Sequence, residues 1–266
     1  MKPSNSSPAL YHPLSPSKNM KNEIYKRQFT VGEIMSVSWQ YFIKNWQLIF
    51  LISLAVYVPL NIILALVPME SLIDSHGFWT AFRIYFRIIE LLEFLIGIIA
   101  IMAITLVIKA KIDNKTIDFK QAMIQSLKKW PQAIGTNILA GIFLIGLFLL
   151  LFVPGIIFYI YWIFITYVVI LKNIWGYSAI KESKAIVQNR WWKTFGIALL
   201  FGILTIIVGI IVGGVLGYII PDHFVTNIIT DTIIDLSLAF FSVLWIVLFI
   251  NYDSNRIKKV SEQTKQ

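Results

Sequence analysis

The chain has 266 residues, 58% of them hydrophobic and 14% charged, with a formal net charge of +9. A soluble domain carries about 25% charged residues, so this composition excludes a water-facing globule, and no charge-rich stretch is long enough to fold beside the apolar part. The lack of cysteine excludes disulfides, thiolate metal sites and thiol nucleophiles, and three scattered histidines (His12, His76 and His223) argue against a histidine-based metal centre.

Residues 1–29 are punctuated by Pro3, Pro8, Pro13 and Pro16 and by five serines, with lysines between them. No apolar run follows the first lysine, so the stretch is not a secretory signal peptide and reads as a disordered cytoplasmic tail. The apolar runs begin next, at about 47–67 and 88–108. From Trp130 to Leu171 no residue is charged. That run is about twice the ~20 residues one helix needs to cross the ~30 Å hydrocarbon core. Pro154-Gly155 near its middle supplies a chain-reversing signal, which divides it into spans at 134–153 and 156–171. The fifth span, about 195–220, stops at Pro221, and the sixth covers about 232–251. Residues 30–255 are therefore expected to form one membrane domain, with a second cytoplasmic tail over 256–266. These runs are apolar on every face, whereas the core of a soluble protein needs amphipathic helices around it.

Lysine and arginine placement sets the orientation. Lys2, Lys18, Lys21, Lys26, Arg27 and Lys44 precede span one, and Lys109, Lys111, Lys115, Lys120, Lys128 and Lys129 join spans two and three. Lys172, Lys181, Lys184, Arg190 and Lys193 join spans four and five, and Arg256, Lys258, Lys259 and Lys265 follow span six. Only Arg83 and Arg87 remain for the opposite side. The positive-inside bias then places both termini in the cytoplasm, in an inner-membrane protein. Topology and attraction to anionic headgroups account for the basic charge, without nucleic acid as a partner.

The connections carry a pattern. Gly32 to Trp46 aligns without gaps with Tyr177 to Trp191, matching Ser38 with Ser183 and Trp46 with Trp191. A looser copy from Asp118 to Trp130 keeps Ala122, Met123 and Ser126. Apolar residues at helical spacing, basic residues beside them and a closing tryptophan describe a surface helix whose anchors at the membrane interface are Trp46, Trp130, Trp191 and Trp192. A lipid- or partner-sensing surface is the alternative use. The expected fold is thus all-α integral membrane: six transmembrane helices as three helical hairpins, each preceded by a cytoplasmic amphipathic helix.

Phe29-Thr30-Val31-Gly32-Glu33-Ile34, then Trp39, Trp46 and Pro59, resemble the start of bacterial YciC-type membrane proteins. They are also similar to the membrane domain attached to some glycerophosphoryl diester phosphodiesterases. Ala179-Ile180-Lys181-Glu182-Ser183 and Asn189-Arg190-Trp191-Trp192-Lys193-Thr194-Phe195-Gly196 resemble that family's most recognisable stretch. The resemblance, over about residues 29–255, implies a six-span inner-membrane protein tied to envelope or lipid homeostasis. It implies no catalytic residues, because the phosphodiesterase chemistry of fused relatives belongs to a separate soluble barrel.

Charges near apolar runs are the remaining candidates, since charge inside a bilayer is costly. Arg83, Arg87, Glu90 and Glu93 share a broad helical stripe, and Asp235 lies one turn inside span six. The cluster of Arg87, Glu90, Glu93 and Asp235 reads as local pairing in the headgroup zone or as a polar lining for an ion, proton or headgroup. Asp235 is either a helix N-terminal charge or a partner of Arg87. Gly209, Gly213 and Gly217 form a small-residue stripe for helix packing, within the chain or in a dimer, and Pro59 is expected to kink span one.

No nucleophile–base pair and no metal or cofactor constellation appears, which favours a non-enzymatic protein of envelope or membrane-lipid homeostasis. Its partners would be membrane lipids, with other membrane proteins as a further option. The alternative is a small transporter, channel or lipid-translocating protein using the charge cluster.

Overall fold

The computed structural model describes residues 23–219 and 224–263, which are helical apart from short connections. In chain order the helices are α1 (Val31–Lys44), α2 (Trp46–Ala65), α3 (Met69–His76), α4 (Phe78–Leu92) and, after a π turn at Glu93–Gly97, α5 (Ile98–Ile112). Then come α6 (Phe119–Leu150), α7 (Phe152–Tyr161), α8 (Ile165–Lys172), α9 (Tyr177–Val187), a 3₁₀ turn at Gln188–Arg190, α10 (Trp191–Ile219) and α11 (Phe224–Gln263). Among the described residues, six stretches are long and apolar enough to cross a membrane: Trp46–Ala65, Phe78–Ile112, Phe119–Leu150, Phe152–Lys172, Tyr177–Ile219 and Ile228–Lys258. The expected all-α, six-span class is therefore what the chain forms.

Local chemistry explains most boundaries. Thr30 and Glu33 make a reciprocal capping box at the start of α1, satisfying two N–H groups that the first turn leaves without partners. Asn45 breaks the helix before α2, its side chain donating to the Tyr41 carbonyl at 2.8 Å. Pro59 lies inside α2, which nonetheless continues to Ala65. Two second spans end alike, at left-handed Asn114 and Asn173 (φ 58° and 57°), the conformation that stops a helix and that asparagine tolerates.

Several expectations need correction. The tail expected over 1–29 is shorter, because residues 23–30 are ordered against the bundle, with Ile24 and Phe29 buried. Two well-placed apolar side chains and a buried asparagine on α11 hold this short segment. Residues 1–22 and the stop at Pro221 lie outside the described residues. The chain reverses at extended Leu151 (φ −157°, ψ 130°), not at Pro154-Gly155. Proline in a helix's first turn needs no N–H partner, so Pro154 sits comfortably inside α7. Gly155 is there for space, because a Cβ on it would collide with the Phe148 ring. The expected spans are also too short at several ends, since α6 runs unbroken through Trp130-Pro131 and the segment before Trp191 joins α10 through one 3₁₀ turn. Finally, among the described residues the glycine stripe does not pack helices closely. There, a Cβ at Gly209 or Gly217 would meet nothing within 4 Å, and one at Gly213 only Ile234 Cδ1 at 3.5 Å.

The buried core gathers α5, α8 and the Val243–Tyr252 stretch of α11, with the inner faces of α1, α2 and α9 around it. Phe164 is fully buried and meets Tyr167, Trp245, Phe249 and Tyr252 edge to face or nearly so, at centroid distances of 5.5 to 6.1 Å. Most of α10, by contrast, exposes large apolar residues such as Ile206, Ile210 and Ile211, the pattern of a helix that faces lipid.

The amphipathic segments meet protein. Phe29 N–H reaches Asn251 at the base of α1, and Trp39 and Phe42 pack on Phe240 towards its end. Helix α1 therefore runs antiparallel along α11 for about three turns. The serines matched in the sequence are each buried, in different company. Ser38 Oγ has no partner among the described residues, and Ser126 Oγ donates to the Ala122 carbonyl of its own helix. Ser183 Oγ donates to the Tyr161 carbonyl at 2.8 Å and accepts from Phe164 N–H at 3.2 Å. Ser183 thus satisfies backbone groups freed where span four breaks between α7 and α8, a break that depends on α9.

Candidate functional site

Three polar places interrupt the apolar bundle. The first contains the predicted charge cluster, which the structure divides. Arg87 and Glu90 pair at 2.7 Å on an exposed face of α4. Glu93 does not continue their line, because the π turn that begins at it adds a residue to the helical repeat and rotates the rest of the helix. Asp235 is not a partner of Arg87. Its Oδ2 accepts from Asn61 Nδ2 at 2.9 Å, and Asn61 also donates to Thr232 Oγ1 at 3.2 Å. The Tyr57 ring packs at the other end of that π turn, where a Cβ on Gly97 would stand 3.8 Å from it. Asn61 is buried in α2 and absent from the predicted set, although a lone amide in an apolar run is itself a signal.

The second place is a polar layer at the basic helix ends. Asn251, fully buried on α11, accepts from Phe29 N–H at 3.0 Å and donates to the carbonyls of Ile24 and Arg27 at 2.9 and 2.8 Å. Tyr25 donates to Asp113 Oδ1 at 2.5 Å, and Lys109 pairs with Asp113 at 2.6 Å. Burial works to raise the Asp113 pKa, but the hydrogen bonds from Lys109 and Tyr25 outweigh it and hold the carboxyl below its ordinary value. Burial, reinforced by Asp113, pushes the Tyr25 phenol up. Arg27 holds Glu33 down to about 2 through a 2.5 Å bond. Lys172 lies 2.6 Å from both Glu182 and Asp253, and Arg256 completes this four-membered network against the same two carboxylates. Charges here are matched one for one.

The third is an open-sided groove of about 750 Å³ between α7 and the turn leading into α10. Val153, Ile157 and Tyr161 form one wall, and Gln188 to Lys193 the other. Trp191 Nε1 donates to the Ile157 carbonyl at 3.0 Å, fixing the width, and the Trp192 ring stands perpendicular to it at 4.7 Å. Arg190 Nη1 donates to the Tyr252 carbonyl and Lys193 Nζ to the Phe29 carbonyl, each at 2.7 Å. The predicted tryptophan anchors thus behave differently. Trp130 Nε1 is bound to the Leu95 carbonyl at 2.6 Å as Trp191 is to Ile157, whereas Trp46 and Trp192 remain exposed.

Six long apolar helices make this chain a multi-pass membrane protein. No protein-family model, curated protein or solved structure matches it.

Proposed function

We propose that the chain is a non-enzymatic protein of the bacterial inner membrane, with both termini cytoplasmic, that binds membrane lipid in the service of envelope or lipid homeostasis. The groove between α7 and α10 carries this reading, since it joins an apolar wall to a polar rim and has an exposed tryptophan at its mouth. A lipid has that same division into chain and headgroup. Tryptophan settles where the two meet. The resemblance to YciC-type proteins supports the same reading.

The test is native mass spectrometry of the protein extracted in mild detergent. Wild type is expected to retain phospholipid, and Val153→Trp, which fills the groove from an exposed position, to lose it. A wild-type protein that carries no lipid, or a variant that carries as much, would overturn the reading. The alternative, a small transporter or channel, draws on Asp235 and Glu93, carboxylates within apolar helices. It requires a transport activity that Asp235→Asn abolishes while lipid retention persists.

A further inference from the structure

We propose that the groove takes a glycerophospholipid of net negative charge, its phosphate held by Arg190 and Lys193 and an acyl chain laid along Val153 and Ile157. This rests on the lipid-binding reading and names the class of lipid.

Arg27, Arg87, Lys109, Lys172 and Arg256 each lie within 4 Å of a carboxylate. A second cavity, about 530 Å³, is lined by Lys109 and Lys172, whose charges Asp113, Glu182 and Asp253 answer. Arg190 and Lys193 make part-buried contacts, yet among the described residues neither has a carboxylate within that distance. Their protein partners are neutral. They are the carbonyls of Tyr252 and Phe29, the Tyr252 ring 4.8 Å from Arg190 Cζ, and the Gln28 amide oxygen, which in its satisfied orientation accepts from Arg190 Nε and Nη2 at 2.9 and 3.0 Å. Asp253 and Glu33 act on Arg190 and Lys193 only from beyond ion-pair distance and are already held by Lys172 and Arg27.

Neutral acceptors orient a cation without cancelling its charge. Guanidinium has five N–H donors and ammonium three, so both side chains keep donors unspent. A half-buried charge without an opposite is costly, and the groove they line is the place from which an anion can approach. Lys184, behind the groove lining, spends its charge on the rings of Phe158 and Tyr161, its Nζ 5.4 and 5.5 Å from their centroids. Gln188 and Asn189 supply exposed amides on the opposite rim, engaged with no protein group among the described residues.

The ligand must also be a lipid. The stretch from Val153 to Tyr161 rises about 12 Å at 1.5 Å per residue, and its apolar members have no use for a free phosphate. Phosphatidylethanolamine brings its own ammonium, which would leave the rim's excess charge in place, whereas a lipid such as phosphatidylglycerol neutralises it.

The experiment offers the full-length protein, stripped of lipid in neutral detergent, an equimolar mixture of phosphatidylglycerol and phosphatidylethanolamine with identical acyl chains. Native mass spectrometry then reads what is retained. Phosphatidylglycerol is expected in excess by at least about fivefold, roughly the contribution of one basic group at a membrane surface. Lys193→Met should bring the two lipids to parity, and Lys193→Arg should restore the preference. Because Lys193 also holds Phe29, Gln188→Glu with Asn189→Asp provides a second route. These exposed positions add negative charge without touching packing, and the preference should vanish. Retention of both lipids equally by wild type would overturn the anionic assignment and leave lipid binding standing, while retention of neither would remove both. Displacement of phosphatidylglycerol by equimolar inorganic phosphate would show a phosphate site and refute the lipid.

Discussion

Replacing Asn251 with leucine tests what holds the 23–30 segment. The substitution keeps roughly the side-chain volume but strands the Phe29 N–H and the Ile24 and Arg27 carbonyls. Each buried polar group left without a partner costs about 1–3 kcal/mol, so a segment that stayed docked would lose roughly 3–9 kcal/mol. The segment has a way out, which is to detach and let water satisfy the three groups. That route uncovers Ile24 and Phe29, now 1% and 2% exposed, at about 1.5–3 kcal/mol each. Detachment therefore caps the loss at roughly 3–6 kcal/mol, and the expected result is a freed segment on an intact bundle. Hydrogen exchange should show the Phe29 amide losing protection while α5 and α8 keep theirs, and trypsin should cut at Lys26 and Arg27. Asn255→Leu is the control, since Asn255 donates within its own helix to the Asn251 carbonyl. Unchanged protection of Phe29 in Asn251→Leu would refute the reasoning.

Three further outcomes are expected from the geometry. Glu33 falls from its ordinary 4.5 to about 2 on folding, so its contribution is complete above pH 4.5 and is lost as pH drops through about 2. The stability difference between wild type and Glu33→Gln, about 1 kcal/mol for a helix cap, should shrink over that window in thermal melts, and a pH-independent difference would count against the capping role. Gly155→Ala should destabilise by about 1–3 kcal/mol through overpacking on Phe148, whereas Gly209→Ala and Gly217→Ala should be neutral or stabilising by up to about 1 kcal/mol from helix propensity; equal losses at all three would mean that the stripe packs against something. Because the chain has no cysteine, Ser75→Cys and Ser261→Cys can be labelled singly in intact cells. An impermeant reagent reaching the periplasm should mark Ser75→Cys alone, and labelling at 261 would reverse the proposed orientation.

What the sequence could disclose was the number and rough position of the spans, because apolar length is a property of each run by itself. It could not disclose where a helix would break under tertiary influence. The break between α7 and α8 is sustained by Ser183, a residue of the next helix, and the π turn at Glu93 decides which carboxylate leaves the Arg87 stripe. Reading charges alone also missed Asn61 and Asn251. Both are uncharged, and both are buried hydrogen-bonding hubs whose partners lie far away in the chain. Of the predicted cluster, the ion pair that forms is the one between residues three apart on one helix. Asp235 found an amide across the bundle instead, and sequence spacing holds no record of such a contact.

The grip of Asn251 on Phe29 spans 222 positions, so a segment made before α1 must wait for α11. Until α11 enters the membrane, Ile24 and Phe29 have no seat and the Phe29 N–H has no acceptor. Docking of this segment therefore reports that α11 has been made and has taken its place in the bundle. A chain interrupted before α11 leaves this segment undocked, with Ile24 and Phe29 uncovered.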